Sequence, residues 1–244
     1  MAPGLTFSET AYLDQPVKQK MSFQPPLKLV QPASQPFSEI NHLFKPTTFR
    51  KYREVPSDEL IVYSERTMLS QLQKTAPRQP KPHVDPVTAV IYISGACRSA
   101  SGVSARASYG VYFGPESPYN TAQSLGPSMS QSHSRAEVEA LAQAIEMVDF
   151  ITSRYENFKE VKFVTNSQYL VDAMSVTVPD ELQSPPSIKG KAQVSPVEHF
   201  DRLTELHHRM ETLKRDKEVR CQLWYQTADG ISEAHSLADE VLYD

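Results

Sequence analysis

The sequence predicts an α/β protein built on a mixed five-stranded sheet flanked by helices, with the element order β-β-β-α-β-α-α-β-α. Three observations predict it. From Val87 the chain carries three strand-like runs in close succession, VTAVIYIS, SYGVYFG and YNTAQSL. An amphipathic stretch follows from Ser134, with Val138, Leu141, Ala142, Ile145 and Val148 recurring on one helical face. Strand-like and helical segments then alternate to the C-terminus, the pattern of a sheet covered by helices.

Each element has its own signal. VTAVIYIS lacks alternating polarity, which predicts a strand buried on both faces, and the two runs after it are expected as its antiparallel neighbours. Ser134 and Glu137 have the S-x-x-E spacing of a capping box, which places a helix start at Ser134. EVKFVT is the next strand. SQYLVDAM reads as a short helix, with Asn166 placed to cap it. Residues 175 to 195 form an insertion rich in Pro and Ser. SPVEHFDRLTELHHRMETL is a mixed-charge helix, VRCQLWYQ the last strand, and ISEAHSLADEVL the closing helix.

Proline usage divides the chain. Of the 19 prolines, 12 lie in the first 86 residues, whereas seven of the eight glycines lie from Gly95 onward. The change marks residues 1–85 as a Pro-rich, mostly flexible N-terminal extension and residues 86–244 as the folded domain. Residues 1–56 lack sustained periodicity and bury too little apolar surface to offset their ordering entropy, so they are expected to be disordered. Phe7, Phe23, Phe37, Phe44 and Phe49 are the anchors by which they would instead dock. ELIVY at 59–63 reads as a strand and SERTMLSQLQK as a helical turn after it.

A net charge of -4 and a pI near 6.0 provide no global attraction for phosphate, so any nucleic-acid contact needs a local basic patch. Cys97 and Cys221 have neither the density of a disulfide framework nor the spacing of a metal site. Glu9 and Asp14 argue against a presequence, and no run approaches the ~18 apolar residues of a spanning helix. An intracellular protein of the cytosol or nucleus, with no membrane partner, is the expectation.

Five strings, VIYISGACR, SYGVYFGPESPYN, SHSRAEVEALAQAIEMV, VKFVTNSQYLVDAM and LWYQTADGISEAHSLA, follow one another as in type 1 ribonuclease H domains. Order, spacing and flanking residues agree over about residues 86–242, and the chain resembles that family. The resemblance implies a ribonuclease H-like fold and a site for hydrolysis of the RNA strand of an RNA–DNA hybrid. Hydrolysis in that family uses two divalent ions that clamp the attacking and leaving oxygens. Where the family places Asp, Glu, Asp and Asp, this chain places Ser94, Glu137, Asn166 and His235. In a register shifted by four residues, Asp239 takes the last position, one helical turn further on. Glu137 is thus the retained acid, and Glu137 with Asp239 is the best remaining metal-ligand pair. Glu65, Glu139, Asp172 and Asp229 are acids outside the family positions.

Two magnesium ions bring four positive charges, and the aligned positions supply one carboxylate. The resemblance also implies phosphate contacts. Ser134 and Arg135 stand where a groove-facing loop would meet sugar or phosphate, and Lys189 and Lys191 are the basic residues of the insertion. The cations from Arg202 to Arg220 are interleaved with acids and read as a solvated helix face. His133, His207 and His208 have no metal-ligand spacing.

Three functions follow as expectations. The first is a noncatalytic ribonuclease H-like domain with a degenerate site, binding RNA–DNA hybrids without a cofactor. The second is a divergent active ribonuclease H using Mg2+ or Mn2+. The third is a pure interaction protein, with a protein partner engaged through the N-terminal extension.

Overall fold

The computed structural model describes residues 42–77, 79–99, 105–155, 157–183 and 197–243. The central strand, β4 (Thr88–Arg98), is buried along most of its length. It pairs antiparallel with β5 (Arg106–Tyr112) and parallel with β7 (Glu160–Thr165). β6 (Thr121–Ser124) extends the sheet beyond β5, and β8 (Arg220–Tyr225) lies parallel beside β7. The expected five strands therefore form one mixed sheet in the order β6-β5-β4-β7-β8.

The sheet is larger than the expected five strands. β1 (Ile61–Ser64), β2 (Leu69–Ala76) and β3 (Gln79–Val84) join it, with Ser70 of β2 opposite Val90 of β4. The segment expected as a helical turn is thus a hairpin. Met68, in left-handed conformation at φ 57, turns the chain from β1 into β2, and Leu69 and Leu72 are fully buried. Strand pairing overrides the weak local helical signal here, because those two leucines gain burial only in the extended register. The proline change near residue 86 coincides with the end of β3, and the sheet continues N-terminal to it.

One sheet face packs on α2 (His133–Arg154) and α5 (Phe200–Lys217). Ile91, Ile93, Val161, Phe163, Cys221 and Leu223 of the strands meet Val138, Leu141, Ile145, Leu203, Leu206 and Met210 of the helices in one core. Helix α2 starts one residue earlier than expected and has a different cap. Ser132 accepts a hydrogen bond from the Arg135 backbone N–H at 3.2 Å, so the Ser134–Glu137 box is not formed. Ser167, rather than Asn166, likewise caps α3 (Gln168–Asp172) by accepting from the Leu170 N–H. The stretch expected as an insertion is helical at its start: a π-helical turn at Ala173–Thr177 leads into α4 (Val178–Gln183). Residues 184–196, with Lys189 and Lys191, lie outside the described residues.

The other face has two covers. Helix α6 (Ser232–Tyr243) lies over β4 and β5, and Gly110 makes its approach possible, since a Cβ there would stand 2.3 Å from the Ala234 carbonyl oxygen. The β7 and β8 half is covered by the segment from His42 through α1 (Arg50–Arg53) to Leu60. Residues 1–41 lie outside the described residues, but residues 42–56 are docked, which corrects the expectation of disorder over that part. Leu43 bridges in parallel to Leu223, the Phe44 N–H donates to the Leu223 carbonyl at 2.8 Å, and the Leu223 N–H donates to the His42 carbonyl at 2.6 Å. Phe44 packs edge-on against Trp224 at 5.3 Å and lies under the Lys162 ammonium at 4.5 Å.

The composition of residues 1–56 gave no sign of this, because the segment gains its burial from the sheet and not from itself. Its far end is held by charge. Buried Asp85 receives hydrogen bonds from Lys51 (3.1 Å), Lys74 (2.9 Å) and Tyr52 (3.0 Å). Burial pushes the Asp85 carboxyl up, yet these donors outweigh it and hold the group below the usual carboxylate value.

Phe44→Ala is expected to cost about 3 kcal/mol, the usual loss for truncating a buried aromatic. A denaturant titration of the two proteins checks this. A change under about 1 kcal/mol would mean that residues 42–60 contribute little to the fold.

Candidate active site

The site is assembled where α2 and α6 approach β4 from its two faces. Gly95 lets the start of α2 come close, as a Cβ there would stand 2.6 Å from the Glu137 backbone nitrogen. Ser94, buried on the neighbouring position of β4, places its hydroxyl 3.3 Å from Nδ1 of His235 on α6. His235 itself is exposed. Asp239 lies one turn beyond it and is half-buried.

Glu137 is buried and its two oxygens are separately engaged. The Ser167 hydroxyl donates to Oε2 at 2.6 Å, and His133 Nε2 lies 3.0 Å from Oε1 across one helical turn. Hydrogen bonding to Glu137 raises the His133 imidazole above its usual value, against a smaller opposing effect of burial. Half-buried Asn166 sits between β7 and Ser167, at the strand-to-helix corner. A line of contacts therefore runs from His235 through Ser94, Gly95 and Glu137 to Ser167, beside Asn166. The spacing of His133 four residues before Glu137 was visible in the sequence. Ser167 was not, because its role depends on the approach of β7 to α2.

The other candidates are bound within the protein. The Ser134 hydroxyl donates to Glu198 at 2.8 Å. Arg135 pairs with Glu139 at 2.6 Å, and Arg202 reaches the other oxygen of Glu139 at 3.0 Å. A phosphate at Arg135 would have to compete with that carboxylate. Asp172 accepts from Gln168 at 2.7 Å. Glu65 and Asp229 are exposed. Along α5, Arg209 pairs with Glu146 and Lys217 with Asp149, joining it to α2.

The donors present do not fit a pair of divalent cations. Such ions prefer several carboxylate oxygens, and the aligned positions offer a hydroxyl, an amide, an imidazole and one carboxylate already bonded on both oxygens. Among the described residues, no group of three or more His, Cys, Asp or Glu side chains is arranged to hold a metal ion. Both cysteines are free, Cys97 exposed and Cys221 buried, and no described helix is long and apolar enough to cross a membrane.

Replacing Glu137 by Gln should return the His133 imidazole toward the ordinary value of 6.5. An NMR titration of its ring protons reads this directly. A raised folded-state value means that the contact stabilises the protein fully below 6.5 and fades as pH rises through that higher value. An unchanged His133 titration in Glu137→Gln would show that the pair is not formed.

No curated protein matches the sequence. Among solved structures, LC11-RNase H1, isolated from compost by a metagenomic approach, is 17% identical with a TM-score of 0.42, covering 63% of this chain and 94% of that one. The foamy viral protease-reverse transcriptase in complex with dsDNA is 17% identical with a TM-score of 0.46, covering 63% and 93% respectively. LC9-RNase H1, a type 1 RNase H with the type 2 active-site motif, is 14% identical with a TM-score of 0.42, covering 65% and 73%. The RNase H family model matches residues 86–241. With that match over more than half of its length, the chain belongs to the RNase H family.

Proposed function

We propose that this protein is a noncatalytic RNase H-like domain that engages nucleic acid of the RNA–DNA hybrid type without cleaving it. One observation carries the reading: the Ser94 hydroxyl meets the His235 imidazole where family hydrolysis calls for two carboxylates. Glu137 alone keeps its charge type at the aligned positions, and His133 and Ser167 satisfy its oxygens. Glu137, Ser94 and His235 are thus engaged in hydrogen bonds within the protein. Two-metal chemistry needs negative charge that these residues do not supply.

Family membership supports the choice of hybrid as ligand. The cations Arg135, Arg202 and Arg209 are paired with acids on α2 and α5, which points to modest, salt-sensitive affinity. No cofactor is part of this proposal. Mg2+ or Mn2+ belongs only to the rival reading of an active nuclease.

The test measures binding and cleavage separately on one RNA–DNA hybrid. Binding by fluorescence anisotropy should be detectable at low salt and weaken steeply between about 50 and 200 mM salt. No cleavage should appear with millimolar Mg2+ or Mn2+. Metal-dependent cleavage that Glu137→Gln abolishes would establish the active nuclease instead. Absence of binding at every salt concentration would leave the interaction-protein reading.

A further inference from the structure

The segment that covers β8 is fastened by a pair of histidines that the site does not use. His42 Nδ1 lies 3.3 Å from the Cys221 carbonyl oxygen, and His42 Nε2 lies 3.1 Å from Nδ1 of His207 on α5. A carbonyl only accepts, so Nδ1 of His42 carries its proton. Nε2 of the neutral ring then accepts, and His207 donates from Nδ1. Both residues are buried, and they stand edge to face with centroids 5.0 Å apart. One added proton keeps the bond if it sits on Nε2 of His207, or on His42 with His207 moved to its Nε2 tautomer, and it places a charge in a buried site. A second sets N–H against N–H.

We propose that residues 42–44 are an acid-released strap: when the His42–His207 pair is protonated, the strap leaves the edge of β8 and uncovers Trp224 and the Leu223 backbone. The surroundings favour the uncharged pair. From β8 come the Cys221 carbonyl and thiol, with the thiol pushed up by burial to about 12. From α5 come Lys214, which opposes a charge on His42, and His208, which opposes one on His207. Glu211, a carboxylate 3.7 Å from His42 Nε2, favours a charge. Lys162 of β7 adds a further cation over Phe44.

Burial first, then Lys214 on His42 and the facing His42 and His208 on His207, lower both imidazoles from 6.5 to about 4, against the Cys221 carbonyl and Glu211. A strapped state with lowered values binds fewer protons than the released one. Its stability is therefore intact above 6.5 and is lost as pH falls from 6.5 toward 4. The far end of the segment does not titrate in that window in the same sense. Asp85 and Glu160 are both held below the usual carboxylate value by Lys74, Lys51 and Lys162, against burial. Release is thereby confined to the part beside β8.

Trp224 is the chain's single tryptophan and packs on Phe44, so its fluorescence reports the strap in the intact protein. Between pH 7 and 5 the emission should shift to the red, with the strapped-to-released ratio falling roughly twentyfold per histidine. Hydrogen exchange, corrected for intrinsic rates, should show the Phe44 and Leu223 amides losing protection while the β4 and β5 amides keep theirs. His207→Asn retains a donor at the Nδ1 position and cannot titrate, and it should flatten the fluorescence response. His42→Asn, which keeps the bond to Cys221, should do the same, so either folded variant suffices. The proposal is overturned by wild-type emission that does not change, by an equal response in a folded variant, or by simultaneous loss of protection across the whole sheet.

Discussion

The burial of Lys162 is the constraint on which much of the structure turns. It occupies a strand position on the second face of the sheet and is almost wholly buried, with its ammonium between Glu160 at 3.0 Å and Gln222 at 2.7 Å. Burial lowers its affinity for the proton and the Glu160 carboxylate opposes this. A charge buried without partners is costly, so the cover over Lys162 must bring compensating contacts. Phe44 presents its ring to the ammonium, and Gln222 also donates to the Leu43 carbonyl at 3.3 Å. The sheet and the segment over it thus complete each other. Neither β7 nor residues 42–49 would be stable in this arrangement alone.

The same economy of contacts appears at the candidate site. A carboxylate buried at the start of α2 without partners would be an uncompensated charge. His133 and Ser167 resolve that, and Ser94 with His235 fills the adjacent space with a neutral-type hydrogen bond. Gly95 and Gly110 admit α2 and α6 closely to the strands. Close helix approach here rests on packing, independent of which side chains stand at the site.

Where local signals failed, competing partners were the reason. Ser134 and Glu137 match a capping box, but Glu137 is drawn to Ser167 on another element and Ser132 takes the cap. Asn166 stood where a cap was expected, and the next residue performs it. SERTMLSQLQK carried a helical spacing over a few residues, yet β1 and β4 offer Leu69 and Leu72 more burial than an isolated turn could. His207 had no metal spacing and no assigned role, since its partner lies 165 residues away.

By itself the sequence determined the five strands from residue 88 onward, the main helices between them, the mixed sheet and the family. Those features follow from periodicity and from motifs whose residues are adjacent in the chain, which local physics can read. Tertiary structure alone decided that the sheet grows by three strands, that residues 42–60 cover its second face, and that Glu137 is held by His133 and Ser167. Each of these depends on groups brought together across long separations. Their free energy comes from shared burial and from satisfying charges such as Lys162 and Asp85, which no single segment expresses until the sheet has formed.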